Sequence, residues 1–580
     1  MKRFRRSSMN AILALMPCTM LIAVCYEETA ACVPSTFSAV QRVGTISAPV
    51  PCTSAIKDTA GTLMAERRPS DQATNTSAVA EEAWDQRERT LAEGLSTNTD
   101  ETDETTKETV ARLQKLHVLI SKIGSGWHVS MTHMSPTELD EAFKLLATLA
   151  PIHKIDLGQD ATDAQLLEVG KWKDLLALEV GSNKNITDAG LRHLKGLTKL
   201  EGLTLCFDKN LTGAGMAHLA DLTEIKFLDL REVALTDDGL THLRRLTGLK
   251  GLWLGKCRLT DAGLKSLRGL TNLRTLDLSK NAITGTGLEC VSGMSKLDEL
   301  LLAGNKINDD GLKHLAGLSA LTSLWLRANP ISDDGLVHLA GLAKLDCIDL
   351  GGTKVSGAGF KHLGKLTKLR SLWLRPLPDF TGVGLEHLTG NKDLTDLTLS
   401  RTGVTDEGLA EVGKLKQLKN LKLPDYGSGS EGIWRDPHPE RLSDKGLKHL
   451  AGLTSLEQLT VSGSGVTDAG LEAFAGLTNL TELYLEFLPN VKGPGLVHLK
   501  GLPKLQKLVL EDTGVDDDGL KYLSELKQLK NLHILKKITD AGLDHLKGMT
   551  GLEYLVLSDK VTDKGIEMLK AALPKTKISK

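Results

Sequence analysis

LTSLWLRANPISDDGLVHLAGLAK, residues 321–344, sets the fold of this chain. Its first half alternates: Leu324 and Leu326 lie on one side of an extended segment, Trp325 and Arg327 on the other, as the two-residue period of a strand requires. Asn329 carries a side-chain amide suited to holding turn backbone. Ile331 closes the turn. Ser332 stands where a helix N-cap belongs, and Asp333 and Asp334 follow in the first turn, where the helix dipole favours anions. Leu336 and Leu339, three apart, mark the inner face of a short helix. One such unit buries too little apolar surface to fold alone, but stacked neighbours can.

The unit recurs. Taking Ser332 as a phase mark, 17 equivalent positions run from Thr162 to Thr562. Most spacings are 24 or 25 residues, the last two are 23, and one, Thr405 to Ser443, is 38. Strands stack at about 4.8 Å, whereas helices need about 8–10 Å between axes. A stack of such units therefore curves, with strands on the inside. The expected architecture is an α/β solenoid: a right-handed horseshoe of about 17 repeats, parallel strands concave and helices convex.

TDAGLKSLRGLTNLRTLDLSKNAI (260–283) and NDDGLKHLAGLSALTSLWLRANPI (308–331) resemble leucine-rich repeats of the ribonuclease-inhibitor-like class. They are especially similar to the TDxGLxxL units of secreted bacterial repeat proteins and of F-box-linked repeat domains. The resemblance covers about 150–575. It implies a binding surface without naming a ligand.

The remaining chain divides by composition. MKRFRR precedes the apolar stretch 11–25, which is shorter than the roughly 20 residues of a membrane span and is interrupted by Pro17. Residues 1–32 therefore read as a secretory signal, or as a lipoprotein-type signal ending at Cys25, although Val24 is a poor match to the small residue expected there. Residues 33–110, including STNTDETDETTKET (96–109), are polar and read as a disordered stalk. Residues 111–160 regain apolar periodicity and are expected to cap the array, leaving 161–580 as the repeat domain. The expectation is an exported protein, periplasmic, secreted or at the cell surface, touching membrane only through its N-terminal signal or a lipid anchor. In that setting Cys32 and Cys52 are free to pair.

The chain of 580 residues carries a net charge of −2, which argues against a nucleic-acid partner. On the expected groove side one track of side chains reads Trp253, Asp277, Leu301, Trp325, Asp349, Trp373, with Arg327 and Arg375 two residues beyond the last two tryptophans. Trp and Arg are the residues most enriched at binding hot spots. Trp253, Trp325, Arg327, Trp373 and Arg375 are thus candidate binding residues for a protein partner. Trp325 and Trp373, two strands apart, are expected about 10 Å from each other. The second candidate is the insertion 424–444, PDYGSGSEGIWRDPHPERLSD, whose Pro and Gly content opposes regular structure and which would display Tyr426 and Trp434 at a rim of the groove.

Other patterns carry less. GSGSEG (427–432) is followed by IWRDPHP, which supports no helix, and no βαβ unit surrounds it, so it does not read as a nucleotide-binding loop. Ten histidines share the phase of His338, one per unit on the helical side, with no Asp or Cys at metal-ligand spacing, so no metal or other cofactor is expected. The DDG triplets, as at 333–335, are explained by helix capping. Glu482, Glu486, Glu511 and Asp512 line the C-terminal groove, but an open, solvated sheet does little to shift a carboxylate's pKa. No nucleophile motif appears, and the chain reads as a binding protein rather than an enzyme. The alternatives are an F-box-like substrate adaptor of a ubiquitin ligase, which the polar N-terminal region opposes, and a purely structural surface protein.

Overall fold

The structure, a computed structural model, describes residues 103–131, 134–424, 442–463 and 465–580. The signal, nearly all of the stalk, and Tyr426 and Trp434 of the insertion lie outside the described residues. The chain divides into two units: Met1–Glu108 with Lys122–Gly126, and Thr109–Ser121 with Trp127–Lys580. Only the second is described in any length. A helix, Glu104–Lys115, starts within the stretch expected as stalk.

The expected α/β solenoid is what the second unit forms. Its strands belong to one 20-stranded sheet that does not close on itself. From Ile152–Asp156 onward each strand pairs in parallel with the next in sequence, ending at Lys577–Ser579. Register is constant. Leu300, Leu324, Ile348, Leu372 and Leu397 are successive partners, and all point into the core. The core is a continuous column of such residues; Leu321, Leu324, Leu326, Ile331, Leu336 and Leu339 of one unit are each fully buried.

The opposite side is built differently from a row of full helices. The connectors are one-turn α-helices running into 3-10 turns, as in Asp261–Leu264 followed by Lys265–Leu267, or 3-10 helix throughout, as in Asp333–Leu339. Two connectors, Asp163–Val169 and Asp406–Val412, are α-helices of seven residues. In a 3-10 turn residues three apart eclipse one another, which is how Leu336 and Leu339 stack into the same column.

The recurrent T-D-x-G-L letters are explained by contacts between neighbours. Thr260 caps its helix by accepting from the Ala262 N–H. Its own N–H donates to Asp237 Oδ1 of the preceding unit at 2.8 Å. The same bond recurs from Thr187 to Asp163, Ser332 to Asp309, Thr467 to Asp444 and Thr539 to Asp517. The first aspartate of DDG therefore ties one unit to the next, beyond the capping that the sequence alone suggests. The glycine makes room for it: a Cβ on Gly263 would lie 2.4 Å from Asp237 Oδ1.

A second ladder runs through the turns. Asn329 Nδ2 donates to the Leu302 and Leu326 carbonyls, both at 2.9 Å, and its Oδ1 accepts from the Ile307 N–H at 3.0 Å. Asn305 and Asn281 do the same one and two units earlier.

The aspartate ladder and the strand pairing both cross the long repeat. Asn420 and Gln458 are register partners, and the Ser443 N–H reaches Asp406 Oδ1 at 2.9 Å. The insertion therefore leaves the solenoid's spacing unchanged. At the N-terminal end the helix Pro136–Leu146 begins with a full capping box between Ser135 and Glu138. It lies against the first units, with Phe143 stacked on Trp172 at 5.5 Å.

Candidate functional site

Alternation along the strands puts every second residue on the solvent side of the sheet, and constant register lines these residues into tracks. On one track Trp325, Asp349 and Trp373 are consecutive partners. Two residues further along each strand, the parallel track reads Arg327, Gly351, Arg375.

Trp325 and Trp373 are half-buried, and their rings meet edge to face with centroids 5.3 Å apart. The gap of about 10 Å expected from strand spacing is closed by the side chains themselves. Asp349, between them, is short and 4% exposed, and it turns away to accept the Gly351 N–H at 2.8 Å. Both indoles lean across the space it leaves. The two rings form one aromatic surface, not two jaws around a slot.

Trp253 behaves differently. It is only 4% exposed and its ring folds back over Gly251, so that a Cβ there would sit 2.5 Å from the indole Cη2. The glycine at 251, where the other two tryptophan strands carry Ser323 and Ser371, is what lets the ring lie down. Trp253, expected on the binding track, lies flat and buried against its own strand.

The arginines separate in the same way. Arg231 occupies the place in its unit that Arg327 and Arg375 hold in theirs, and its Nε reaches both Asp229 carboxylate oxygens, at 3.0 and 3.1 Å. Its guanidinium is buried, which works against its charge, but Asp229 more than compensates and holds the pKa above the usual value. Asp229 precedes Arg231 by two residues. In the other two strands that position is Trp325 or Trp373. Among the described residues neither Arg327 nor Arg375 has a carboxylate within ion-pairing distance, and neither does exposed Arg401, in the turn after the Asp396–Thr398 strand. Burial lowers the pKa of Arg327; Asp349 opposes this, while Arg375 and Arg401 add to it as like charges.

The carboxylates around the patch are held toward their neutral forms. Burial pushes Glu299 up to about 7, with Asp277 adding to the rise and the Trp325 indole N–H opposing it. Glu299 Oε2 and Trp325 Nε1 are both buried. Burial likewise raises Asp349 to about 6, against the Gly351 N–H and the two arginines. Burial also raises Asp277, which is 2% exposed. These shifts exceed what a fully solvated sheet would give; the tryptophans and neighbouring strands exclude the water.

The acidic end of the face is internally paired. Glu482 accepts the Tyr484 hydroxyl, Asp512 pairs with Lys536, and Glu486 is 4% exposed. The phase-matched histidines lie on the connector side, half-buried or exposed, away from this patch. Among the described residues no group of three or more His, Cys, Asp or Glu is placed to hold a metal ion.

What the sequence did not reveal was the D-x-R against W-x-R contrast, DLR at 229–231 and WLR at 325–327 and 373–375. It was present in the letters, but its meaning depends on the strand geometry that brings residues i and i+2 together.

Comparison with known proteins agrees with this architecture. A leucine rich repeat family model matches residues 247–307, and a second matches 452–475 and 501–524. No curated protein matches the chain. Among solved structures, an internalin (inlF) of Listeria monocytogenes is similar at 23% identity, covering 64% of this chain and 94% of that one, with a TM-score of 0.46. A leucine-rich repeat protein of Leptospira interrogans is similar at 18% identity, covering 76% of this chain and 98% of that one, with a TM-score of 0.40.

Proposed function

We propose that this chain, a leucine-rich repeat protein, is an exported binding protein that recognises a protein partner through its concave strand face. The observation that carries the reading is the Trp325–Trp373 pair: two half-buried indoles in contact at 5.3 Å on the solvent side of the sheet, each followed two residues on by an arginine. A rigid aromatic surface loses little conformational entropy on binding, and aromatic anchors beside arginine are what a binding centre needs. Export rests on the basic and then apolar N-terminus. The unit class, ribonuclease-inhibitor-like with TDxGL phasing, belongs to the same proposal. The paired tryptophans and their arginines lie on a broad sheet face rather than around a reaction cavity, which favours binding over catalysis.

The test is affinity capture with the intact protein, immobilised, against the Trp325→Ala/Trp373→Ala double variant of matched thermal stability. Loss of a reproducible partner from the double variant is the expected result. Equal capture by both proteins overturns the concave-face reading. N-terminal sequencing of the natural protein tests export separately: a start near residues 26–33 is expected, and an intact Met1 counts against it.

A further inference from the structure

Three tryptophan-track units differ in one respect that concerns ligand chemistry. Where the strand carries Asp two residues before its arginine, the charge is satisfied within the chain: Arg231 sits on Asp229. Where it carries Trp, it is not. Arg327 and Arg375 face the same trough from either side. The unit between them contributes Gly351, which is buried, and Gly352, which is exposed, so on their track no charged side chain stands between the two arginines. Gly351 is fixed there by geometry, since a Cβ would fall 1.8 Å from the Arg375 carbonyl oxygen. Arg401 extends the positive charge along the next unit. The one carboxylate within the trough, Asp349, is 4% exposed and already bonded to the Gly351 N–H. Arg327 thus has Arg375 and Arg401 as like-charged neighbours, with one buried carboxylate to offset them. Like charges gathered in this way are held at a cost that an incoming anion relieves.

Resting on the concave-face reading, we infer that the trough over Gly351, walled by Arg327 and Arg375 and extended by Arg401, takes the side-chain carboxylates of an acidic, extended segment of the partner protein, with an apolar residue of that segment laid on the Trp325–Trp373 surface. Guanidinium groups pair with carboxylates in two-pronged fashion. A strand places alternate side chains about 7 Å apart on one side, so an acidic residue and an apolar residue two positions from it both face the sheet, matching the two-residue step from Arg327 to Trp325 and from Arg375 to Trp373. A nucleic-acid strand offers negative charge too, but its continuous phosphate chain would have to pass Asp396, on the strand next to Arg375 and on the same face. Spaced carboxylates avoid it.

Fluorescence polarisation on the full chain distinguishes the possibilities. The probes are a labelled peptide repeating Asp-Ser-Leu-Ser, which keeps aspartate and leucine on one side of a strand, the same peptide with asparagine for aspartate, and a labelled thymidine oligonucleotide of similar length. The acidic peptide is expected to bind at least about tenfold more tightly than its amide counterpart, and Arg327→Gln and Arg375→Gln are each expected to weaken it about tenfold, the smaller end of what a charge-assisted hydrogen bond contributes. Affinity should fall with added salt. A further variant, Trp373→Asp, imposes the chain's own D-x-R pattern and should silence Arg375 while keeping the fold, which a thermal melt confirms. If both peptides bind equally and only Trp325→Ala/Trp373→Ala weakens them, the acidic specificity is overturned while the concave face stands. Arginine-dependent binding of the oligonucleotide in preference to the acidic peptide overturns the peptide assignment. Binding of neither peptide at millimolar concentration overturns the inference and leaves the concave-face reading to the capture experiment.

Discussion

Asp208 stands at the position in its unit that Asn183 holds in the one before. Both accept a backbone N–H two residues on: Asn183 Oδ1 from Asn185 and Asp208 Oδ1 from Asn210. Asn183 then spends its Nδ2 on the Gly158 and Ala161 carbonyls. Asp208 has an oxygen there instead, and Asp208 Oδ2 is buried without a partner in a residue that is 0% exposed. A carboxylate cannot donate, so the site favours the protonated acid. Burial raises the pKa to about 6, against the Asn210 N–H. Because the folded pKa lies above the unfolded one, the stability this group contributes is present below about pH 4 and is lost as pH rises through about 6. Asp208→Asn restores the donor. Urea denaturation should show it stabilised by about 1–3 kcal/mol at pH 8 and little changed at pH 4. Equal effects at both pH values would contradict the protonation argument. At this scale the letters showed that Asn329 belongs to a turn; that Asp208 is an imperfect copy of the same device became visible only once the carbonyls it faces were in place.

At the scale of the element, each connector depends on its neighbour. Asp261 receives the Thr284 N–H at 2.8 Å and the Thr286 hydroxyl at 2.6 Å, both from the following unit. Its partial burial would raise its pKa, but the Thr284 and Thr286 hydroxyls outweigh that and hold it below the usual carboxylate value. The sign is opposite to that of Asp208: this stability is present above the unfolded pKa and is lost as pH falls through the folded one. Asp261→Ala should cost about 1–3 kcal/mol at neutral pH, with the penalty shrinking in strong acid, as read from denaturation midpoints across pH. An unchanged midpoint at pH 7 would remove the ladder from the account of the fold. The T-D-x-G-L letters announced the repeat and its cap. They did not announce that the aspartate's partner lies 23 residues ahead, because a bond between units has no trace in the pattern of one unit. The same holds for the connectors: Leu336 and Leu339 fit α-helix and 3-10 helix alike, and only the structure decided between them.

Across the whole array the ladders make spacing a property of the stack rather than of each unit. The 38-residue repeat demonstrates it, since Asn420 still pairs with Gln458 and Ser443 with Asp406. Replacing residues 425–441 with a short Gly-Ser link should change stability by less than about 1 kcal/mol, because loop-closure entropy varies slowly with length. A loss of several kcal/mol in urea would show that those residues carry packing of their own. A partner lost in capture at unchanged stability would instead mark the insertion as part of the binding surface. The sequence by itself determined the solenoid: an apolar residue, most often leucine, at the core positions, one period repeated through the array, and strands on one side. That follows because core burial and period are properties of a residue's place within its own unit. Tertiary structure decided the site. Trp253, Trp325 and Trp373 share one track in the letters, yet Gly251 lets the first lie flat and buried against its own strand while the small, tucked Asp349 lets the other two meet. Arg231 and Arg327 share one position, yet Asp229 silences the first and Trp325 leaves the second free. Those differences arise from contacts between adjacent strands and from side-chain reach, which a track of letters does not contain.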